Sequence, residues 1–495
     1  MHSSESDREM SPLALPLPGK NLPFPQAGAL ARLVACIHGA GGRPILVGGS
    51  VRDHFLGLPA KDYDVEVFGL QLDELEKALE RAGQVYAVGR SFGVLKVRIT
   101  HDGNDEIIDV ALPRRESKSG RGHRGFIIAS DPHMSFADAA CRRDFTLNAM
   151  GIDLVTGEVL DPHGGVEDLA RRHLRHVSSA FDEDPLRVLR ACQMAARFGL
   201  TIDRDTLSRC HNLQSELFTL PKERIWEEFR KLLCRAPWPA IGLRALQATK
   251  ALEIFPELAA LPGCPQEMQW HPEGDVWLHT LLVVDEAAQL CRRKMLSTEE
   301  TLIILLGALC HDLGKPDTTA LVDGRIRSIE HEARGEEPTR RFLQRIGAPV
   351  AIEEAVVPLV KEHLKPFQLY SDRERVSDAA IRRLALRVPI PRLLLVSRAD
   401  FLGRTTKEAL TRHDAAGDWL MEQAERLRLK AEAPKPILMG RHLLSRGLKA
   451  GPQFKRLLEI AFEAQLEGNF ENQMEAEAWL DEHLAEMLKD ATDAT

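Results

Sequence analysis

Asp62 and Asp64 stand one residue apart in the stretch KDYDVEVFG. In a strand, alternation turns both carboxylates to one face and Tyr63 to the other. Two such carboxylates repel one another unless a cation lies between them. Mg²⁺ answers that need, because it takes oxygen ligands and also bridges substrate phosphates. Carboxylate-bound metal stabilises the attacking and leaving oxygens of phosphoryl transfer. Just upstream, GGSVRD places Gly48 and Gly49 where a backbone can approach a triphosphate, and Arg52 where a cation can neutralise it. A DxD alone is compatible with a solvated surface turn. The compound GGxVRDxxLG followed by DxD is far more specific.

A second constellation lies in EDPLRVLRACQMAARFG, where Asp184 and Arg187 are spaced i, i+3 and Arg190 follows one turn later. One reading is an intrahelical ion pair, worth about 0.2–0.5 kcal/mol. The other is base recognition. A carboxylate accepts from an exocyclic amino group, while an arginine donates to an unprotonated ring nitrogen. Cytosine and adenine share that edge, and uracil and guanine present the reverse. Such a pair would admit CTP and ATP and leave polar groups unpaired with UTP or GTP.

A third set is spread through VWLHT (His279), CHDLGK (His311, Asp312), IEHEARGEE (His331), KEHLKPF (His363) and SRADFLGR (Asp400). A lone histidine on a helix is an ordinary packed residue. Imidazoles and carboxylates recurring in one helical region suit a transition-metal or Mg²⁺ site that activates water.

The elements that must carry these residues fall into an α+β head and an all-α remainder. RPILVGG, DYDVEVFG, GVLKVRIT and EIIDVALP read as strands, and LDELEKALERAG as a helix stopped at Gly83. Strand signals nearly vanish from about residue 151. Asp184 and Pro185 suit the start of a helix that Gly199 ends. Prolines 237, 239, 262, 265 and 272 mark the passage to a second helical region, and AEAPKPILMG a further linker. The expected organisation is a disordered leader (1–25), a catalytic head (26–150), a helical neck (151–235), a helical body (236–405) and a helix-turn-helix-like tail (406–495).

The bulk properties narrow the function classes. A chain of 495 residues needs more than one core. Its net charge of −8 argues against a wholly basic nucleic-acid binder but leaves room for local basic patches. An aromatic share of 5% argues against broad stacking platforms for single strands. The longest apolar run, Leu302 to Cys310, is nine residues, so it reads as a buried helix, not a membrane span. Eight scattered cysteines without a CxxC, and an N-terminus unlike a secretory signal, fit a reduced, cytoplasmic protein.

The first constellation, joined by RRDFTLNAM (142–150), DPHGGVEDL (161–169), EDPLRVLRACQMAARFG (183–199) and PKERIWEEFRKLL (221–233), resembles the class II tRNA nucleotidyltransferase (CCA-adding) and bacterial poly(A) polymerase family. That family lies within the DNA polymerase β nucleotidyltransferase superfamily. The resemblance is dense over about 44–235 and implies a polymerase-β-like head with a mixed sheet. It also implies template-independent addition of C, C and A to tRNA from CTP and ATP, with Mg²⁺ at Asp62 and Asp64. It puts Gly48, Gly49, Arg52, Arg143 and Asp144 at the ribose and phosphates, with Asn148 supporting that loop. Asp184, Arg187 and Arg190 fall at the base. Asp109 is a candidate third carboxylate or an edge-strand acid, and RRESKSGRGHRGF (114–126) resembles the family's flexible loop. RNA contacts are expected at RRHLRH (171–176) and along the tail, RHLLSRGLKAGPQFKR.

The histidine set resembles the HD phosphohydrolase domain, with further histidines seen in metal-rich variants. That implies a divalent metal (Ni, Mn, Fe or Mg) and 2′,3′-cyclic phosphodiesterase or phosphatase activity for repair of tRNA 3′ ends. A site that only holds tRNA is the alternative. Other readings of the chain are a poly(A) polymerase, a CC-only or A-only enzyme, or an HD hydrolase with an RNA-binding head. Monomer and homodimer are both open, and no membrane partner is expected.

Overall fold

Apolar residues alternate with polar ones in DVEVF and through much of VLKVRITH, and the central part of the sheet follows from that pattern. In the computed structural model, which describes residues 28–59, 62–89, 94–118, 126–429 and 433–493, the strands are β1 (Arg43–Val47), β2 (Asp64–Phe68), β3 (Gln84–Gly89), β4 (Val94–His101), β5 (Asn104–Ala111), β6 (Arg114–Lys118), β7 (Phe126–Ser130), β8 (Gly151–Asp153) and β9 (Val159–Leu160). Seven of them form one mixed sheet in the order β3-β4-β5-β2-β1-β8-β9. The β2–β5 pair is parallel and its neighbours are antiparallel. β8 pairs with β1, so the sheet runs on beyond residue 150. β6 and β7 form a separate hairpin. Residues 119–125 of the basic loop, and the leader, lie outside the described residues.

Alternation sorts the two faces of the sheet. Leu46, Val65, Val67, Leu95, Val97, Ile108 and Val110 are buried with Leu33, Ile37, Leu75 and Leu79 from the helices Ala29–Gly39 and Leu72–Ala82. Buried Leu75, Ala78, Leu79 and Ala82 trace the i, i+3, i+4, i+7 stripe of an amphipathic helix. Ile45 and Val47 point the other way, into a smaller cluster with Phe68, Met134 and Ala139. The intervening residues Asp64, Glu66, Lys96 and Asp109 therefore share that second face.

The chain divides into two compact units. The first holds the residues up to Leu232 with Ile241–Ile254, so the expected head falls together with the expected neck up to Leu232, and the last residues of that neck belong to the second unit. It includes the helix Leu186–Phe198, closed by Gly199 in the left-handed conformation. In DPHGGVEDL, both Asp161 carboxylate oxygens accept from the backbone, from Gly165 N and Val166 N, tying down the start of the helix Gly165–Ala170.

The second unit comprises Leu233–Ala240 and the residues from Phe255. Leu302–Cys310 is entirely buried in the helix Thr298–Cys310. The helices Val276–Arg293 and Ile390–Gly403 cross closely, since a Cβ on Gly403 would come within 2.6 Å of Val283. That crossing brings His279 to Asp400. The expectation that strands nearly vanish misses a hairpin of Thr319–Val322 with Arg325–Ser328. Its two-residue Asp323-Gly324 turn, both residues at positive φ, is the signal for it. In the tail, Leu438, Leu443, Leu457, Phe470, Leu480 and Met487 make a separate small core. Among the described residues no helix is long and apolar enough to cross a membrane.

Candidate functional site

In the first unit, Asp64 opens β2, Asp62 lies two residues before it, and Asp109 sits directly opposite Asp64 in the parallel register. The Asp109 N–H donates to Tyr63 O at 3.1 Å, carrying the ladder past Asp64. β5 lies between β4 and β2, so Asp109 is not an edge-strand acid. Lys96 Nζ is 2.9 Å from Asp109 Oδ1 and 3.1 Å from Oδ2. Partial withdrawal from water raises the Asp64 carboxyl above its ordinary range; Asp109 and Asp62 add to this, and Arg143 and Lys96 oppose it. Three hard oxygen donors that repel one another on one face fit a divalent cation such as Mg²⁺.

Gly48 turns the chain from β1 into the helix Gly49–Phe55 at φ +76°, a region L side chains rarely adopt. A Cβ there would lie 3.4 Å from Arg143 Nη1 and 3.5 Å from Asp64 Oδ2, so this backbone presses against both charges. Arg52, expected to neutralise phosphate, is buried and already engaged. Nε and Nη2 donate to Asp53 Oδ1 at 2.9 and 2.6 Å, Nη1 donates to Asn148 Oδ1 at 2.7 Å, and the guanidinium lies 4.5 Å from the Phe198 ring centre. Arg143, with Lys96, brings positive charge to the aspartates, and its Nη2 lies 3.5 Å from Glu66 Oε2.

Asp144 is a buried hub. Oδ1 accepts from Phe145 N (2.8 Å) and Asn148 Nδ2 (2.9 Å), and Oδ2 from Arg190 Nε (2.8 Å) and Nη2 (2.6 Å). Burial alone would raise its carboxyl; Arg190 and Asn148 turn the shift downward. A continuous hydrogen-bonded line therefore runs Arg52–Asn148–Asp144–Arg190. It leaves Asp144 far less free for a ribose than the family resemblance implies.

The intrahelical ion pair of Asp184 with Arg187 does not form. Asp184 has extended backbone and precedes the helix Leu186–Phe198, donating nothing but accepting from Leu186 N at 3.1 Å. Its carboxylate is held by both ends of the Arg224 guanidinium, at 3.2 and 2.7 Å. Arg187 donates from Nη1 to Ala180 O and from Nη2 to Arg142 O, each at 2.7 Å. Both side chains are thus fixed from outside the helix, which keeps the base-reading geometry open. Arg224 was not singled out by the sequence reading, although it stands in the motif PKERIWEEFRKLL.

In the second unit, His279, His311, Asp312, His331, His363 and Asp400 converge. Each imidazole has an acceptor on its outer nitrogen: His279 Nδ1 to Glu273 Oε1 (2.8 Å), His311 Nδ1 to Ala308 O (2.8 Å), His331 Nδ1 to Ser328 O (2.8 Å) and His363 Nδ1 to Val360 O (2.6 Å). A carbonyl or ionised carboxylate can only accept, so all four Nδ1 atoms carry the proton. All four Nε2 lone pairs then remain for the interior. His279 Nε2 meets Asp400 Oδ1 at 3.0 Å and His311 Nε2 meets Asp312 Oδ2 at 3.1 Å, contacts that set acceptor against acceptor when the imidazoles are neutral and close as ion pairs when they are protonated. His311 Nε2 and both Asp312 oxygens are buried without a hydrogen bond of good geometry, although Lys315 Nζ stands 2.8 Å from Asp312 Oδ2. Such a set calls for a cation, and Asp312 is shared by two triads, with His279–His311 and with His331–His363.

The charges around the cluster agree with ligand roles. Burial, with His311 and His331 nearby, pushes His363 down to about 3, so it is neutral. Burial would raise the two carboxyls, yet Arg404 holds Asp400 well below the usual range, and a protonated His311 with Lys315 does so for Asp312; against its own burial, His311 is raised in turn by Asp312. Glu273 also accepts from His271 Nδ1 at 2.9 Å and from Thr405 N at 3.0 Å. Glu273, His271, Lys315 and Arg404 were missed by sequence reasoning. Only Lys315, within CHDLGK, and Arg404, one turn after Asp400, carry a local signal.

Comparison with known proteins follows the same division. Residues 45–175 match the poly A polymerase head domain, 199–261 the probable RNA and SrmB-binding site of polymerase A, and 276–404 the HD domain. The fold is similar to that of the Bacillus stearothermophilus CCA-adding enzyme in complex with CTP, with TM-score 0.61 and 23% identity over 95% of this chain and 100% of that one. It is also similar to the Thermotoga maritima CCA-adding enzyme complexed with tRNA_CCA, with TM-score 0.57 and 19% identity over 92% and 95%. The multifunctional CCA protein of Xanthomonas campestris pv. campestris (strain B100) is 40% identical over 372 residues, covering 73% of this chain and 86% of that protein. The Stenotrophomonas maltophilia (strain K279a) protein of the same name is 39% identical over 72% and 86%. At this identity and coverage, the chain belongs to the family of multifunctional CCA proteins.

Proposed function

We propose that this chain adds C, C and A to the 3′ end of tRNA, using CTP and ATP, in the cytoplasm. The observation that carries the reading is the in-register pair Asp64 and Asp109 with Asp62 beside them, packed against the Gly48 turn and Arg143. Asp62, Asp64 and Asp109 would hold Mg²⁺, which supplies charge neutralisation at the reacting phosphate. The aspartate face and Arg143 orient the triphosphate so that the tRNA 3′-oxygen attacks the α-phosphorus in line. A P–O bond to that oxygen forms as the hydroxyl proton passes to water, the bond from the α-phosphorus to the α–β bridging oxygen breaks, and pyrophosphate departs with the electron pair. Gly48 and Gly49 give backbone access to the phosphates. Arg52, Asn148, Asp144 and Arg190 keep the phosphate-side helix in register with the base-side helix.

Asp184 accepts from the exocyclic amino group and Arg187 donates to the ring acceptor of cytosine or adenine. Arg224 positions Asp184 for that contact. The tail and the segment around 171–176 would hold the RNA by its phosphates. Within that segment Arg175 is already committed to Asp168 and His163 O, so it braces the backbone. The head, neck, body and tail divisions proposed from sequence serve these roles in order. Incubation of the purified protein with tRNA lacking CCA, CTP and ATP tests the reading: extension by C, C and A followed by a stop is expected. A long A-tail, or arrest after CC, contradicts it.

A second reading belongs to the histidine cluster, and four inward Nε2 lone pairs with two buried carboxylates support it. We infer a divalent-metal phosphohydrolase acting on 2′,3′-cyclic or terminal phosphates of tRNA ends. Four imidazole donors favour Mn, Fe or Ni over Mg. Metal supplies an activated water there. Lys315 and Arg404 balance the anionic charge at Asp312 and Asp400. Metal analysis of the purified protein, followed by assay on 2′,3′-cyclic AMP, checks it. A protein that binds no metal and hydrolyses nothing leaves the cluster as a fold element.

A further inference from the structure

The metal-ligand cluster opens into a cavity of about 390 Å³ within the second unit. At its inner end Asp312 and Asp400 stand with Lys315 and Arg404, whose Nζ and Nη2 each lie 2.8 Å from a carboxylate oxygen, so a phosphate would be held there through the cation that the carboxylates and imidazoles call for. Its mouth is built of something different. Trp270 lines one side, on the turn that follows Gln266, and Phe367 lines another, on the helix Lys365–Ser371. Both residues remain half exposed, at 52% and 54%, and offer flat apolar faces at the mouth of the cavity.

The turn bearing Trp270 is not loose. Its N–H donates to Glu267 O at 3.0 Å, Glu267 Oε2 accepts from Ile326 N in the hairpin at 3.0 Å, and Gln266 Oε1 accepts from Lys315 Nζ at 2.7 Å. One short segment therefore ties an aromatic wall to a cation beside the metal ligands. A bare phosphate would fill the inner end and leave the apolar mouth wet. A phosphate attached to a flat aromatic group would use both ends at once.

We propose that Trp270 and Phe367 stack on the base of a nucleoside phosphate whose phosphate reaches the Asp312–Asp400 cluster. This rests on the phosphohydrolase reading of the same site and assigns these two rings as the residues that set its preference for an ester carrying a base. Because every base offers a π-face, the contact is base-tolerant, with purines favoured by their larger ring.

The test compares 2′,3′-cyclic AMP with glycerol 1,2-cyclic phosphate, which has the reacting group and no base, on the full chain supplied with Mn²⁺. For Trp270→Ala and for Phe367→Ala, the ratio of kcat/KM for the nucleotide to that for the glycerol ester falls about tenfold, through KM. Trp270→Phe restores most of it. Nucleotide addition to tRNA by the same preparations reports that the chain has folded. A ratio that stays at the wild-type value in both alanine variants overturns the stacking role. If the wild type hydrolyses neither ester, the phosphohydrolase reading fails, and binding then decides. Quenching of fluorescence by 2′,3′-cyclic AMP in wild type and its loss in Trp270→Ala uphold the stacking site; equal quenching in both, or none in either, removes it.

Discussion

The two candidate sites would meet one need, a metal directed at phosphate, in opposite ways. In the first unit, carboxylates are displayed on one face of a sheet, and Asp64 is left accessible at its strand start. In the second, nearly every donor atom is buried, and each imidazole is fixed by an outward hydrogen bond. Hard oxygen donors in the open suit an ion that arrives with a nucleotide and leaves with pyrophosphate. Nitrogen donors with locked tautomers suit a resident ion. The contrast teaches that an open site is defined by register in a sheet, whereas a closed one is defined by the shell behind its ligands.

The largest effect expected at the closed site is from Asp312→Ala, which removes the carboxylate shared by both triads. Metal content falls to background and phosphohydrolysis drops by about three orders of magnitude or more, while tRNA extension persists. Metal analysis and the two activity assays read this. Next is Glu273→Gln. It weakens the acceptor that fixes His279, and metal affinity in competition with a chelator falls about 10–100-fold. An unchanged affinity would erase the distinction between resident and visiting ions.

At the open site, Arg224→Ala frees Asp184 from its outside tether. Discrimination of CTP and ATP against UTP and GTP relaxes about tenfold, read as incorporation ratios, with the aspartate face untouched. If selectivity is as strict as before, Arg224 is a structural residue and Asp184 is positioned by Leu186 N alone. The smallest effect concerns Asp144→Asn, which costs about 1–3 kcal/mol at neutral pH because it leaves Arg190 with a weaker partner. The Asp144 carboxyl is held below its ordinary 3.8. Its stabilisation is therefore complete above about pH 4 and is lost as pH falls through the depressed folded-state value. Denaturant melts of both proteins along a pH series should converge in acid; a gap that persists there would show that shape, not charge, holds the hub.

Much of this was legible in the sequence because it is local. Strand alternation alone places Asp62 and Asp64 on one face, and the same rule identifies Asp109 once its strand is known to be central. The apolar run from Leu302 reads directly as a buried helix. Capping chemistry marks Asp184 and Gly199. What escaped was long-range. No periodicity says that Arg224 reaches back forty residues to Asp184, or that Arg52 is spent on Asn148 and the Phe198 ring. Glu273 looks like an ordinary loop acid until the fold sets it behind two histidines. The hairpin at 319–328 has strands of only four residues and contributes no buried side chain to the core, so its hydropathy pattern is too short to register, although Asp323-Gly324 spells its turn.

The independence of the two sites is the central claim, and Asp62→Ala measures it most directly. In one preparation, tRNA extension with CTP and ATP, bound metal and hydrolysis of 2′,3′-cyclic AMP are followed together. Extension vanishes while metal content and hydrolysis stay at wild-type levels. Extension that survives, or loss of both activities in a chain that remains folded, contradicts the account.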